Sequence, residues 1–257
     1  MTYALVTGSS KGIGKAMATE LAKKKINLLL VARSADALQQ LSKELKATYA
    51  IEADYLATDL SLPNAAETVY NWCTEKNYSI HILINNAGYG LSGLFENEPA
   101  AKNVNMMQLN MVTPVQLCHI FLPMLKQNQQ SYILNIASSA AYQAVPYLSL
   151  YSASKSFVLS FSRGLANELK GSPVSVTCVC PGPTDTDFNR RASLNEKATK
   201  AAEKFSVTPE EVGAIAVKAM FARKRELIVG FINKLSAFGA WLLPKSLIEN
   251  TAAGIYK

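Results

Sequence analysis

Alternation is what most constrains this chain. Short apolar runs occur at 3–7, 27–32, 51–57, 80–85, 131–137, 174–179 and 226–229. Between them lie segments of helical periodicity at 12–24, 35–46, 63–76, 104–126, 152–169 and 209–221. Strands separated by whole helices do not close as hairpins. Each crosses over through its helix and returns parallel to the last. The runs are apolar almost throughout, without the every-second-residue polarity of a half-exposed strand, so helices are expected on both faces of the sheet. The predicted fold is α/β, a doubly wound parallel sheet of about seven strands.

The 257 residues suffice for one large domain with a substantial core. No internal repeat, low-complexity tract or linker divides residues 1–230, which are read as a single domain. No run reaches the ~18 apolar residues of a spanning helix. A strand begins at Tyr3, so a signal peptide is not expected. Cys73, Cys118, Cys178 and Cys180 fit neither a disulfide framework nor the spacing of a metal site. A reducing, cytoplasmic setting is expected. The net charge of +7 would suit nucleic acid or an anionic surface, yet the basic residues are dispersed apart from Lys23-Lys24-Lys25 and Arg223-Lys224-Arg225. Both clusters fall where a helix is predicted to end and cations complement its dipole. No nucleic-acid partner is expected.

Thr7-Gly8-Ser9-Ser10-Lys11-Gly12-Ile13-Gly14 joins the first strand to the first helix. Glycines at such a junction let backbone approach a phosphate, and the helix N-terminus offers N–H groups and a favourable dipole. The same stretch elsewhere would be an ordinary turn. Between a first strand and an amphipathic helix it points to dinucleotide binding and a Rossmann-type sheet. The second strand then ends in Ala32-Arg33. An acidic residue there would bond ribose hydroxyls and repel a 2′-phosphate. Arg33 instead offers a planar fork suited to phosphate, with Lys11 able to approach the same group. NADP(H) is expected in preference to NAD(H). The alternative is a solvated Arg33 paired with Asp36.

Tyr151 and Lys155 stand four residues apart and share one face of a helix. A phenol titrates near pH ~10, and a fixed positive charge beside it stabilises its phenolate. Tyr151 is thus a candidate proton donor and acceptor. Tyr142 and Tyr147 have no lysine four residues later. His81 and His119 have no carboxylate at a suggestive spacing and read as structural.

The glycine spacing, with Thr7 before it, resembles the classical short-chain dehydrogenases/reductases of the NADP(H)-preferring type. Asn85-Asn86-Ala87-Gly88, Asn110, Ser138, Tyr151, Lys155, Pro181-Gly182, Thr184 and Thr186 follow in that family's order, so that the resemblance covers residues 2–230. It implies an oxidoreductase that interconverts a carbonyl and an alcohol. Tyr151 would be the general acid or base and Ser138 would polarise the reacting oxygen. Ser139 is its immediate rival, and the spacing to Tyr151 favours Ser138. Lys155 would lower the Tyr151 phenol and hold the nicotinamide ribose, supported by Asn110 through water. Cofactor contacts are implied at Gly8, Ser10, Lys11, Gly12, Ile13, Gly14, Arg33, Asp59, Leu60, Asn86, Ala87 and Gly88. They continue at Tyr151, Lys155, Pro181, Gly182, Thr184 and Thr186, with Thr184 at the carboxamide. A homo-oligomer, dimer or tetramer, is also implied. The alternative to an enzyme is a nucleotide-binding sensor or scaffold, which would have no need of Ser138 and Tyr151.

Tyr89, Leu91, Leu94, Tyr142, Val145, Tyr147 and Phe188 are the expected pocket walls, suiting a hydrophobic ketone, aldehyde or alcohol, including a lipid or acyl chain. The polar stretch from Gly182 to about Ser206 reads as a lid or binding loop. After residue 230 the chain continues through 231–257, with Phe231, Leu235, Phe238 and Leu242 at helical spacing. This extension is expected to pack on the domain or across a dimer. Interfacial membrane contact beside Lys234 and Lys245 is the alternative.

Overall fold

The computed structural model describes residues 1–184, 195, 196, 198–200 and 206–256. Its strands are β1 (Thr2–Thr7), β2 (Asn27–Ala32), β3 (Ala53–Ala57), β4 (Ser79–Asn85), β5 (Ser131–Ile136), β6 (Val174–Cys180) and β7 (Glu226–Ile228). They form one sheet in the order β3-β2-β1-β4-β5-β6-β7, and each pair is parallel. The α/β expectation therefore holds. β1 lies between β2 and β4, so the winding reverses direction there and leaves a crevice at the strand ends.

The helices are α1 (Gly12–Lys23), α2 (Ala35–Tyr49), α3 (Ala65–Glu75), α4 (Ala100–Met107), α5 (Thr113–Lys126), α6 (Ser149–Glu168), α7 (Pro209–Phe221), α8 (Phe231–Leu242) and α9 (Lys245–Tyr256). Successive strand residues serve opposite layers. Ala4, Val6, Leu28 and Leu30 pack with Met17, Leu21, Val212 and Met220. Leu5, Leu29 and Val31 pack with Val69, Leu117, Phe121 and Leu125 on the other face. A sheet buried on both sides needs an apolar residue at every position, which is why the strands read as continuous runs.

The helix expected over 104–126 starts earlier and is not continuous. α4 passes into a π-helical turn, Gln108–Val112, before α5 begins. Periodicity could not register this break, because the apolar pattern continues across it. The first basic cluster has local partners. Lys23 pairs with Glu20, Lys24 lies over the Phe221 ring, and Lys25 donates to the Tyr49 carbonyl.

The extension is helical from Phe231 to Tyr256 except around Pro244, and the apolar stripe of α8 faces outward. Phe231 is 79% exposed and Trp241 74%. α8 is held instead by its narrow side, where Ala240 is buried and Asn233 Nδ2 donates to the Val229 carbonyl at 2.7 Å.

Candidate active site

The loops at the crevice enclose a cavity of about 1290 Å³, larger than the roughly 300–1,000 Å³ typical of a single small-ligand pocket. One end is built by the glycine loop. Gly8 (φ 65°) and Gly12 (φ 56°) lie in the left-handed region that favours glycine. At Gly14 a Cβ would stand 2.2 Å from the Gly8 carbonyl oxygen, so the loop folds back tightly on the start of α1. The first turn of α1 contains no acidic residue, so its N-terminus can receive an anion. Thr7 fixes this end to the neighbouring strand. Its Oγ1 donates to the Ile84 carbonyl at 3.0 Å and accepts from the Asn86 and Ala87 N–H groups at 2.9 and 3.2 Å.

Arg33 and Lys11 lie in the wall at the end of β2. Across from them, Asp59 Oδ1 accepts from the Ser61 N–H and Oγ at 2.9 and 2.7 Å. Burial would raise this carboxyl, but the two Ser61 bonds and the Arg33 charge outweigh it and hold it below the ordinary range. Ser10, Ile13, Leu60, Asn86, Ala87 and Gly88 line the same cavity. The set has basic side chains and a glycine-lined helix N-terminus where phosphates would lie, and so fits a nicotinamide dinucleotide.

At the other end Ser138 closes β5, and α6 carries Tyr151 and Lys155. Ser138 Oγ accepts from the Ala140 N–H at 3.1 Å and is hydrogen-bonded to the Tyr151 phenol. Ser139 instead ties its N–H to the Pro181 carbonyl at 2.7 Å. Of the two serines, it is Ser138 that meets Tyr151. Lys155 Nζ donates to the Ile136 carbonyl at 2.9 Å and lies 5.9 Å from the Tyr151 ring centre.

Burial pushes the Tyr151 phenol up to about 12, against the Ser138 hydrogen bond. Burial brings the Lys155 ammonium down to about 8, against the nearby Cys178 and Cys180. The expectation that Lys155 lowers the phenol is thus not met here. Lys155 points at a carbonyl, and burial of the phenol dominates. Asn110 lies in the π turn behind Gly88, where a Cβ would come within 3.0 Å of Asn110 Oδ1 and 3.5 Å of Lys155 Nζ. The Asn110 side chain clasps Tyr89 by both backbone groups, at 3.1 and 2.9 Å, and donates to Ser154 Oγ at 3.1 Å. It positions the wall beside Lys155.

Pro181, Gly182 and Thr184 line the cavity at the end of β6, with Thr184 Oγ1 donating to the Gly182 carbonyl at 3.1 Å. Thr186 and Phe188 lie outside the described residues, as does most of the segment read as a lid. Of the expected pocket walls, Tyr89, Tyr142 and Val145 line the cavity, whereas Leu94 is exposed. Leu91 packs in the cluster around Tyr151. Tyr142 donates to Glu226 at 2.5 Å, and Arg163 holds the same carboxylate at 2.6 and 2.9 Å.

Sequence reasoning missed the contribution of the extension. Ile232, Leu243, Leu247, Thr251, Ala252 and Tyr256 contribute to the cavity wall, and Ala252 and Tyr256 join the Tyr151 cluster. An apolar stripe signals that a helix exists but carries no information about which cavity its other side lines.

Residues 2–197 match the model of the short chain dehydrogenase family. The chain belongs to the short-chain dehydrogenase family. It is 32% identical to "Hydroxysteroid dehydrogenase-like protein 1" of Gallus gallus, a match covering 87% of this chain and 66% of that protein. The chain therefore spans about two thirds of that relative's length. It is 36% identical to "Very-long-chain 3-oxoacyl-CoA reductase" of Homo sapiens, over 99% of this chain and 77% of that one. Among solved structures, a short-chain dehydrogenase from Sphingobium yanoikuyae in complex with NADPH superposes with a TM-score of 0.80 at 29% identity, covering 94% of this chain and 93% of that one. In this short-chain dehydrogenase, then, the glycine loop and the Ser138–Tyr151–Lys155 group open on one cavity.

Proposed function

We propose that this chain is an NADP(H)-dependent oxidoreductase that interconverts a carbonyl and an alcohol on an apolar substrate. The observation that carries the reading is the cavity itself, with the glycine loop, Lys11 and Arg33 at one end and Ser138, Tyr151 and Lys155 at the other. Gly8, Gly12, Gly14, Asn86 and Gly88 would seat the dinucleotide, with Arg33 and Lys11 at a 2′-phosphate. When bound, the nicotinamide supplies or accepts the hydride. The protein's own residues handle the proton. In reduction Tyr151 delivers its phenolic proton to the carbonyl oxygen, and in oxidation its phenolate removes the hydroxyl proton. Ser138, bonded to the phenol, donates to the same oxygen as charge develops there. Burial raises the Tyr151 phenol above its ordinary value, which favours the acid form that reduction needs.

Two relatives carry names for 3-oxoacyl-CoA and hydroxysteroid chemistry. Together with the apolar wall of Val145, Leu243 and Leu247, these names support a bulky, water-insoluble ketone or its alcohol as substrate. NADPH consumption with an oxosteroid, a 3-oxoacyl thioester and a small polar ketone tests the class. Turnover of the polar ketone alone would overturn it.

Tyr151→Phe should bind NADPH as the wild type does yet lose about 10²- to 10⁴-fold in turnover, the usual worth of a positioned acid or base. Retained turnover would sink the assignment. Arg33→Asp should raise the KM for NADPH about tenfold or more, since a charge-assisted bond to phosphate contributes about 1.5–3 kcal/mol. NADH should be spared. Equal effects on both cofactors would refute the NADP(H) preference.

A further inference from the structure

We infer that the outer face of α8 is a membrane-docking surface, which lies in the plane of an anionic lipid bilayer and sets the mouth of the cavity against it. Phe231, Leu235, Phe238 and Leu242 recur at helical spacing on one face of α8, and all four are exposed. Trp241 borders them, and Leu243 and Leu247 carry the exposed apolar surface across Pro244 onto α9. Single exposed apolar residues are ordinary, but a contiguous group of this kind marks a contact surface. Aromatic and leucine side chains in this arrangement suit the headgroup boundary, where tryptophan in particular is favoured.

Charge decides between a bilayer and a second copy of the chain. α8 contains no acidic residue. Lys234 falls between Phe238 and Trp241 around the helix, and Lys245, which also caps the Ala240 carbonyl, opens α9. The whole chain is charged +7. A two-fold contact through this face would set the patch against its own image, bringing these lysines towards like charges. Anionic headgroups complement them, each basic residue near such a surface strengthening binding roughly fivefold. Among the described residues no helix is long and apolar enough to cross a membrane, and α8 has 12 residues against the ~20 needed to span. The contact is therefore interfacial.

The location gives the surface a purpose. Ile232, Leu243 and Leu247 belong both to the exposed apolar set and to the cavity wall. An apolar molecule dissolved in the bilayer would reach Tyr151 along this wall without passing through water. This route rests on the apolar-substrate reading, whereas the docking does not.

Flotation of the full chain with phosphatidylcholine vesicles, with and without phosphatidylserine, tests the docking with no turnover involved. The wild type should float with the anionic vesicles, less with neutral ones, and less as salt rises. Phe238→Glu combined with Trp241→Glu should lower the bound fraction at least tenfold at unchanged thermal unfolding. Lys234→Glu, which leaves the apolar face intact, should weaken binding severalfold. Wild-type protein that stays at the bottom of the gradient with both vesicle types overturns the proposal. So does a dimer that the double substitution splits while neither form floats, which would assign the face to a second copy.

Discussion

Lys155 shows how the site works against the stability of the protein that carries it. Its ammonium is buried and held near 8, against an ordinary 10.5. A lysine with a depressed folded-state value is destabilising wherever it is charged in both states, that is, below about 8. The penalty is relieved between about 8 and 10.5, as the folded form releases its proton first. Its full size is about 3 kcal/mol, from 1.36 kcal/mol for each unit of displacement. Tyr151, raised to about 12 from 10.0, has no such effect until the unfolded phenol ionises above about 10, where it lowers stability. Lys155→Met should therefore unfold at a higher temperature than the wild type at pH 7. The difference should shrink by pH 10, offset throughout by the lost bond to the Ile136 carbonyl. A gap that is constant with pH would show that the ammonium is not under this strain. Tyr151, Lys155 and Ser138 were legible in the sequence because their spacing is itself the signal. The bond between Tyr142 and Glu226 was not, since those residues are 84 positions apart and meet only because β6 and β7 pair.

At the scale of elements, strands and most helices could be read from apolar periodicity, and what the reading lost is tertiary in origin. The π turn at Gln108–Val112 exists where Asn110 reaches out to clasp Tyr89. A local pattern cannot record a hydrogen-bond partner 21 residues away. The orientation of α8 was hidden for the same reason, because an apolar stripe says that a helix has a sticky side without saying where that side points. α9 carries the sharpest consequence. Ala252, 5% exposed, packs beside Tyr151, Met106, Val145 and Leu148. Ala252→Phe would push an aromatic ring into the space facing Tyr151. The KM for a bulky ketone should then rise about tenfold or more while a small ketone is reduced as before, since overpacking alone costs about 1–3 kcal/mol. Equal losses on both substrates would mean that α9 shapes the fold and not the selectivity.

Taken whole, the molecule places its two chemistries by strand order. The reversal between β1 and β4 opens the crevice for the glycine loop, and the ends of β5 and β6 deliver Ser138 and Pro181 to the other side of it. The last helices then close part of the far wall, so that residues of α8, α9 and the glycine loop border one cavity. That closure has a mechanical side. Asn233, near the start of α8, lies so close to Gly182 that a Cβ there would be 2.1 Å from Asn233 Nδ2. Gly182 lies between Pro181 and Thr184 on the cavity wall, and α8 carries the outward apolar face. A side chain added at position 182 would therefore have to displace Asn233 and, with it, the start of α8.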